Sequence, residues 1–235
     1  MNNAEEHNSP DGGGGLITLK ELMLKHDDGL DYGPISLSLK PGQGALVTVR
    51  DLGLMRRLMK CCHGFIEPDF GQVAWWMERP AAACDWERYD FQRQIGYVDR
   101  QSQLLTFVSL MENIALYYSY LRDSEGEGKA KEALNRFNLG GYAALRSEIL
   151  PEPVRRLGLY AQVFCQDPKL LLLERPRQFL DQDFEMVWTM VLNRAAYEGL
   201  AYIVFDRNTD IYDSGHFDFF HSFQPNRRSS EGDNS

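Results

Sequence analysis

No stretch of the sequence approaches the roughly 20 consecutive apolar residues that a membrane-spanning helix requires, so any membrane association has to go through a partner. Cysteine is scarce. Cys61, Cys62, Cys84 and Cys165 are the whole complement, and none stands in a C-x-x-C pair. That argues against a disulfide framework and a zinc site, and fits buried, reduced thiols. Basic charge is in deficit: a formal net charge of −9 argues against a general nucleic-acid binder, which needs a cationic face, while leaving room for local basic patches. His216 and His221 lack metal-ligand spacing and read as structural. The opening MNNAEEHNSPDGGGG is acidic and glycine-rich, the opposite of a secretory signal. Residues 1–15 are therefore expected to be a flexible leader and 226–235 a flexible tail on a cytoplasmic protein.

What is present suits a globular fold. Hydrophobic residues make up 43% and charged residues 25% of the 235, ordinary values for a chain long enough to bury a sizeable core. LITLKELML and ISLSL alternate as strands, LKPGQG turns, and GALVTV reads as a buried strand. A helix to about Gly64 follows, then a turn at EPDFG and strands at QVAWW and RQIGYVDR. SLMENIALYYSYL, GKAKEALNRFNL, VRRLGLYAQVFCQDP and DFEMVWTMVLNRAAYEG carry helical patterns, and KLLLLERP and LAYIVFD are apolar strands. HFDFFHSF is a late aromatic strand. Antiparallel-looking strands followed by helix–strand alternation predict an α/β fold: a parallel-sheet core with an antiparallel β edge over residues 16–225, and a helical subdomain at about 101–150.

One junction stands out. VRDLGLMRR, Val49 to Arg57, links a buried strand to a helix, the place where many proteins hold a nucleotide phosphate. A working phosphate loop needs glycines so that backbone N–H groups can wrap the phosphates, a lysine for the β/γ oxygens, and a Ser/Thr hydroxyl for Mg²⁺. Here there is one glycine, Gly53, and neither lysine nor hydroxyl. Asp51 precedes the helical pattern, where its carboxylate is expected to accept the free N–H groups of the helix in the position a phosphate would take. Arg56, Lys60 and His63 share one helical face and read as solvated, with Leu54, Leu58, Cys61 or Cys62, and Phe65 facing inward.

The order of these segments resembles the nucleotide-binding subunit of ABC transporters, a P-loop NTPase-like fold, from about Leu16 to Phe223. ISLSLKPGQGALVTV is similar to the strands leading into the family's phosphate loop, and HGFIEPDFGQV to the segment after the phosphate-loop helix. IGYVDRQSQLLTFVSLMENIAL resembles its Q-loop region, CQDPKLLLLERPRQFLD its Walker B strand and D-loop, and GLAYIVFDRNTD its switch strand. Counted from Pro41-Gly42 and from Gly64, the resemblance puts Val49, Leu52 and Leu54 at the glycine positions, Met55 at the lysine, and Arg56 and Arg57 at the hydroxyls. Arg100 falls at the Q-loop glutamine, with Gln101 and Gln103 nearby. Pro151, Glu152 and Pro153 replace the signature serine and glycines, and proline has no N–H to offer a phosphate. Glu174 stands at the Walker B aspartate, Arg175 at the catalytic glutamate and Asp206 at the switch histidine. His26 falls where an aromatic stacks on adenine, and the D-loop aspartate survives as Asp181.

What the resemblance implies is a catalytically degenerate ATPase-like subunit of a membrane transport complex, with no catalytic residue and no cofactor expected. Family ATPases work as dimers, each site pairing one phosphate loop with the partner's signature loop. This chain spoils both halves, so homodimer and heterodimer alike would lack an ordinary composite site. A permease subunit is implied as the membrane partner, placing the chain on the cytoplasmic face of the inner membrane. The permease contact would be the groove beside the Q-loop, carrying Arg100, Gln103, Leu105 and Phe107. The stretches LNRFNLGGYAALR and WERYDFQRQIGYV look most similar to the ATPases of lipid-trafficking, MCE-associated systems. Two alternatives stay open: a weak ATPase that uses Glu174 for Mg²⁺ and arginines for phosphates, and a free-standing regulatory scaffold. Arg50, Arg56 and Arg57 are candidate anion contacts, set against a solvated basic helix face. Glu174-Arg175 reads as a strand-end ion pair. Trp75-Trp76 and Phe217, Phe219 and Phe220 are expected to pack in the core through strand alternation.

Overall fold

A computed structural model describes residues 15–76, 90–120, 125–178 and 181–226. Nearly all of the expected leader and tail, and Cys84, lie outside the described residues. Three strands, β1 (Ile17–Lys25), β2 (Asp31–Leu39) and β4 (Phe70–Trp75), form an antiparallel sheet in the order β2-β1-β4. Five form a parallel sheet: β3 (Gly44–Val49), β5 (Ile95–Val98), β6 (Leu170–Glu174), β7 (Ala201–Asp206) and β8 (Phe219–Phe223), in the order β5-β6-β7-β3-β8. The α/β expectation holds, antiparallel edge included.

Successive residues of a strand point to opposite faces of its sheet, and the apolar strands here use both. Ala45, Val47, Leu170, Leu172, Ile203 and Phe205 join one core with helix α1 (Leu52–His63) and the antiparallel strands. Leu46, Leu171, Leu173 and Val204 join a second core with four helices: α2 (Leu110–Tyr120), α3 (Gly126–Arg136), α4 (Glu152–Phe164) and α5 (Phe184–Glu198). Burial on both faces is why KLLLLE and AYIVFD carry no polar alternation. Residues 101–150 supply α2, α3 and two short 3-10 turns, without a strand of their own among the described residues.

Helix α1 packs against the parallel sheet and β1. It ends on Gly64 at φ 80°, whose N–H donates to the Cys61 carbonyl at 3.0 Å, a left-handed cap that glycine adopts freely. The Trp75 indole N–H donates to the Cys62 carbonyl at 2.8 Å, tying β4 to the end of the helix. Trp75 and Trp76 pack against the core, and Phe217 is buried while Phe220 is exposed.

Two sequence expectations for this helix fail. His63 is buried and Phe65 is half exposed: past the Gly64 turn the chain has left the helix, so helical spacing no longer places Phe65. The Phe65 ring stacks over His63 at 4.1 Å and Tyr97 meets His63 edge-on at 5.3 Å, closing the imidazole off from water. That burial pulls the His63 pKa from 6.5 down to about 4. The unfolded chain takes up a proton near pH 6.5 that the folded chain refuses until about 4. The stabilisation by neutral His63 is therefore complete above the upper value and lost as pH falls to the lower one. It amounts to about 3 kcal/mol at most. Urea unfolding at pH 7 and pH 4.5 should show a smaller acid-induced loss in His63→Phe than in the parent; equal losses would contradict this.

Candidate functional site

All five parallel strands deliver their carboxyl ends to one edge of the sheet, where sheets of this kind place ligand sites. The junction Val49–Arg57 lies there, between β3 and α1. Asp51 takes an extended conformation (φ −83°, ψ 129°) and is the N-cap of α1. Its carboxylate accepts the Leu54 N–H at 2.8 Å, and its carbonyl accepts the Met55 N–H at 3.0 Å. An N-cap satisfies the backbone donors that the first turn leaves free. The expectation for Asp51 is therefore realised: a protein carboxylate occupies the positive end of the helix.

The residues that follow are engaged within the fold. Leu54 and Met55 are fully buried in the core between the sheets. The Arg57 guanidinium donates to the Asp69 carboxylate at 2.8 Å and to the Lys25 carbonyl, and Asp69 also accepts the Lys25 N–H at 2.8 Å. Arg57 thus fastens α1 to the end of β1 and the approach to β4. Arg56 lies 3.8 Å from the Glu174 carboxylate, an ion pair too long for a hydrogen bond. Arg50 is exposed.

Around this junction the other sequence-identified positions are held by each other. The Glu174 side chain is completely buried. One of its oxygens accepts the Arg100 backbone N–H at 3.3 Å and the other, Oε1, lacks a hydrogen-bond partner among the described residues. Arg175 sits at φ 47° with its guanidinium 4.0 Å from Asp206. Asp206 is buried; it accepts the Tyr212 hydroxyl at 2.7 Å and the Arg207 N–H at 2.6 Å. Burial, with the Asp206 charge beside it, pushes the Tyr212 phenol far above its usual value. His26 has its Nδ1 3.0 Å from Asp28 and its Nε2 3.7 Å from Asp51, with Tyr32 edge-on at 5.4 Å. It thus brings β1 to the capping residue.

Pro151 and Pro153 flank the start of α4, which has no side-chain cap. Glu152 lies in its first turn, a position that favours a carboxylate, and Arg155 grips Glu152 at 2.5 Å. Asp181 begins a 3-10 turn, Asp181–Asp183. Beside Arg100 opens a cleft of about 360 Å³ lined by Arg100, Gln103, Leu104, Arg155, Arg156 and Leu159 among others. Leu105 and Phe107, on the same loop, are exposed, Phe107 at 68%.

Sequence reasoning missed the residue that shapes this loop. Asn113 is fully buried. Its carbonyl oxygen accepts the Leu105 N–H at 2.7 Å, and its amide reaches the Leu105 carbonyl at 3.0 Å and the Ser147 hydroxyl at 2.9 Å. A capping pair supports it: Ser109 N–H to Glu112 at 2.7 Å and Glu112 N–H to the Ser109 hydroxyl at 3.1 Å. The S-x-x-E spacing was visible in the sequence and marks that helix start.

No family model matches the chain. At 26% identity over 212 residues, covering 89% of this chain and 85% of the relative, it is similar to the lipoprotein-releasing system ATP-binding protein LolD of Nitratidesulfovibrio vulgaris. Its fold is similar to cbiO1 from Clostridium perfringens, part of the ABC transporter complex cbiONQ. There the TM-score is 0.77 at 18% identity, over 90% of this chain and 85% of the other. A dimeric ATP-binding cassette, MJ0796, bound to ADP and Pi gives a TM-score of 0.69 at 16% identity, over 88% of this chain and 94% of the other.

Removing the cap tests its role in stability. Asp51→Ala should cost about 1 kcal/mol, lowering the melting temperature by about 2–4 °C in a chain of this size; an unchanged thermal melt would contradict the role assigned to Asp51.

Proposed function

This chain belongs to the ATP-binding subunits of ABC transporters, and from that membership we propose that it is a degenerate member, keeping the fold for assembly rather than for ATP hydrolysis. The observation that carries this is the Asp51 carboxylate on the Leu54 N–H. Mg–ATP does not fit the residues at the junction. The phosphate would have to displace a carboxylate of the same sign from the helix end, and no lysine amine replaces it, because Met55 is buried. The cation at the hydroxyl position, Arg56, is turned toward Glu174, the group that would otherwise face a metal. Arg175 cannot accept a proton, so no general base stands at the position that follows β6.

In this reading the chain pairs with a permease and with a second ATPase-like subunit, at the membrane face where the family's subunits sit. No helix among the described residues is long and apolar enough to cross a membrane. The exposed Leu105 and Phe107 beside the Arg100 cleft are the proposed permease contact. Asn113 holds that loop in shape without a nucleotide. The lipoprotein-releasing relative supports a lipid-linked cargo as the working class of substrate.

One observation favours a second reading, a weak ATPase. Glu174 Oε1 is buried without a hydrogen-bond partner among the described residues, as a metal-facing oxygen would be. Isothermal titration with ATP, with and without Mg²⁺, separates the two. No binding in the micromolar range is expected under either condition; micromolar affinity that depends on Mg²⁺ would overturn the non-hydrolytic reading. Purification from detergent-solubilised membranes should bring an integral membrane subunit along, and Phe107→Glu should release it. A chain that purifies without one would instead favour a free-standing scaffold.

A further inference from the structure

The cleft beside Arg100 carries an unbalanced charge. It opens between the loop that follows β5 and the first turns of α4, and three arginines line it: Arg100, Arg155 and Arg156. Glu152 is the one carboxylate in the lining, and it is already engaged, because Arg155 donates both Nε–H and Nη2–H to the same oxygen. Arg100 is exposed, and Arg156 is partly buried with its Nη2 donating to the Gln178 carbonyl at 3.3 Å. Neither of these two guanidinium groups has an ion-pair partner among the described residues. The Arg156 Nε is buried and lacks a hydrogen-bond partner among them. A charged donor left in that state is costly, and an acceptor entering the cleft relieves it. On a chain of net charge −9, this hollow is a local cationic exception.

An apolar surface adjoins the hollow. The Glu148 N–H donates to the Thr106 carbonyl at 3.2 Å and the Ser147 N–H to the Val108 carbonyl at 3.1 Å. This pairing brings Leu105 and Phe107 next to Ile149, and the three are exposed at 44%, 68% and 64%. Leu104 and Thr106, which alternate with Leu105 and Phe107 along the loop, line the cleft. The neighbouring Arg146 and Glu148 lie 3.8 Å apart and offset each other.

We propose that the cleft receives a carboxylate side chain of the membrane partner, carried on a short amphipathic segment whose apolar face covers Leu105, Phe107 and Ile149. Guanidinium groups hold carboxylates through paired N–H donors, and a charged anchor in a pocket ringed by apolar contacts is the pattern of a binding hot spot. An anionic bilayer is the poorer match, because a flat surface does not reach into a hollow. A free phosphate would leave the apolar rim bare. The inference rests on the permease reading and adds the chemistry by which that partner is recognised.

The complex purified from detergent-solubilised membranes provides the test. Arg100→Lys and Arg156→Lys keep the positive charge and place an amine where a guanidinium stood, so a carbodiimide can couple that amine to a neighbouring carboxylate. Mass spectrometry should find the new lysine joined to an aspartate or glutamate of the integral subunit. Arg100→Gln/Arg156→Gln, still melting cooperatively, should bind the solubilised subunit at least about tenfold more weakly. Coupling only to the chain's own Glu152 or to a second copy of the chain, undiminished binding by the Gln variant, or binding to phosphatidylglycerol vesicles that the Gln variant loses would each overturn the inference. A chain that purifies without any integral subunit sinks the permease reading and this inference together; an intact complex without the coupling sinks this inference alone.

Discussion

The carboxylate of Asp51 on the first turn of α1 organises the centre of this molecule. A helix start exposes backbone donors and carries partial positive charge, and in a strand-turn-helix unit that end is the natural seat of a phosphate. Here a covalently attached carboxylate takes that seat. In the proposed reading the neighbouring positions then have no phosphate to meet. Met55 can be buried, Arg57 can fasten α1 to Asp69, and His26 can approach Asp51.

The same logic extends along the sheet edge. Glu174 is paired with Arg56, and Asp206 with Arg175 and Tyr212, in two separate sets of ion pairs and hydrogen bonds. None of these links is individually strong, since charge pairs at about 4 Å with partial exposure are worth little. In the proposed reading these contacts stand where a working site would meet its ligand, with Glu174 Oε1 left unpartnered among the described residues. The loop shaped by Asn113 is, in the same reading, a contact surface for the permease.

Much of this was legible in the sequence. The apolar runs of β6 and β7 marked a buried parallel sheet, and the flanking Pro41-Gly42 and Gly64 set the register that placed Met55, Arg56 and Arg57. Asp51 was readable because an N-cap depends on local chemistry alone. His63 and Phe65 were misplaced because helical periodicity was carried past a left-handed glycine. Asn113 escaped because its partners, Leu105 and Ser147, come from two loops that only the tertiary fold brings together.

The central claim is that the positive end of α1 is closed from within. Hydrogen–deuterium exchange across residues 51–58, with and without millimolar Mg–ATP, addresses that helix end directly. The account predicts that the Leu54 amide is protected in the free protein and that adding Mg–ATP leaves the exchange of the whole segment unchanged. New protection of this segment on adding Mg–ATP would contradict it.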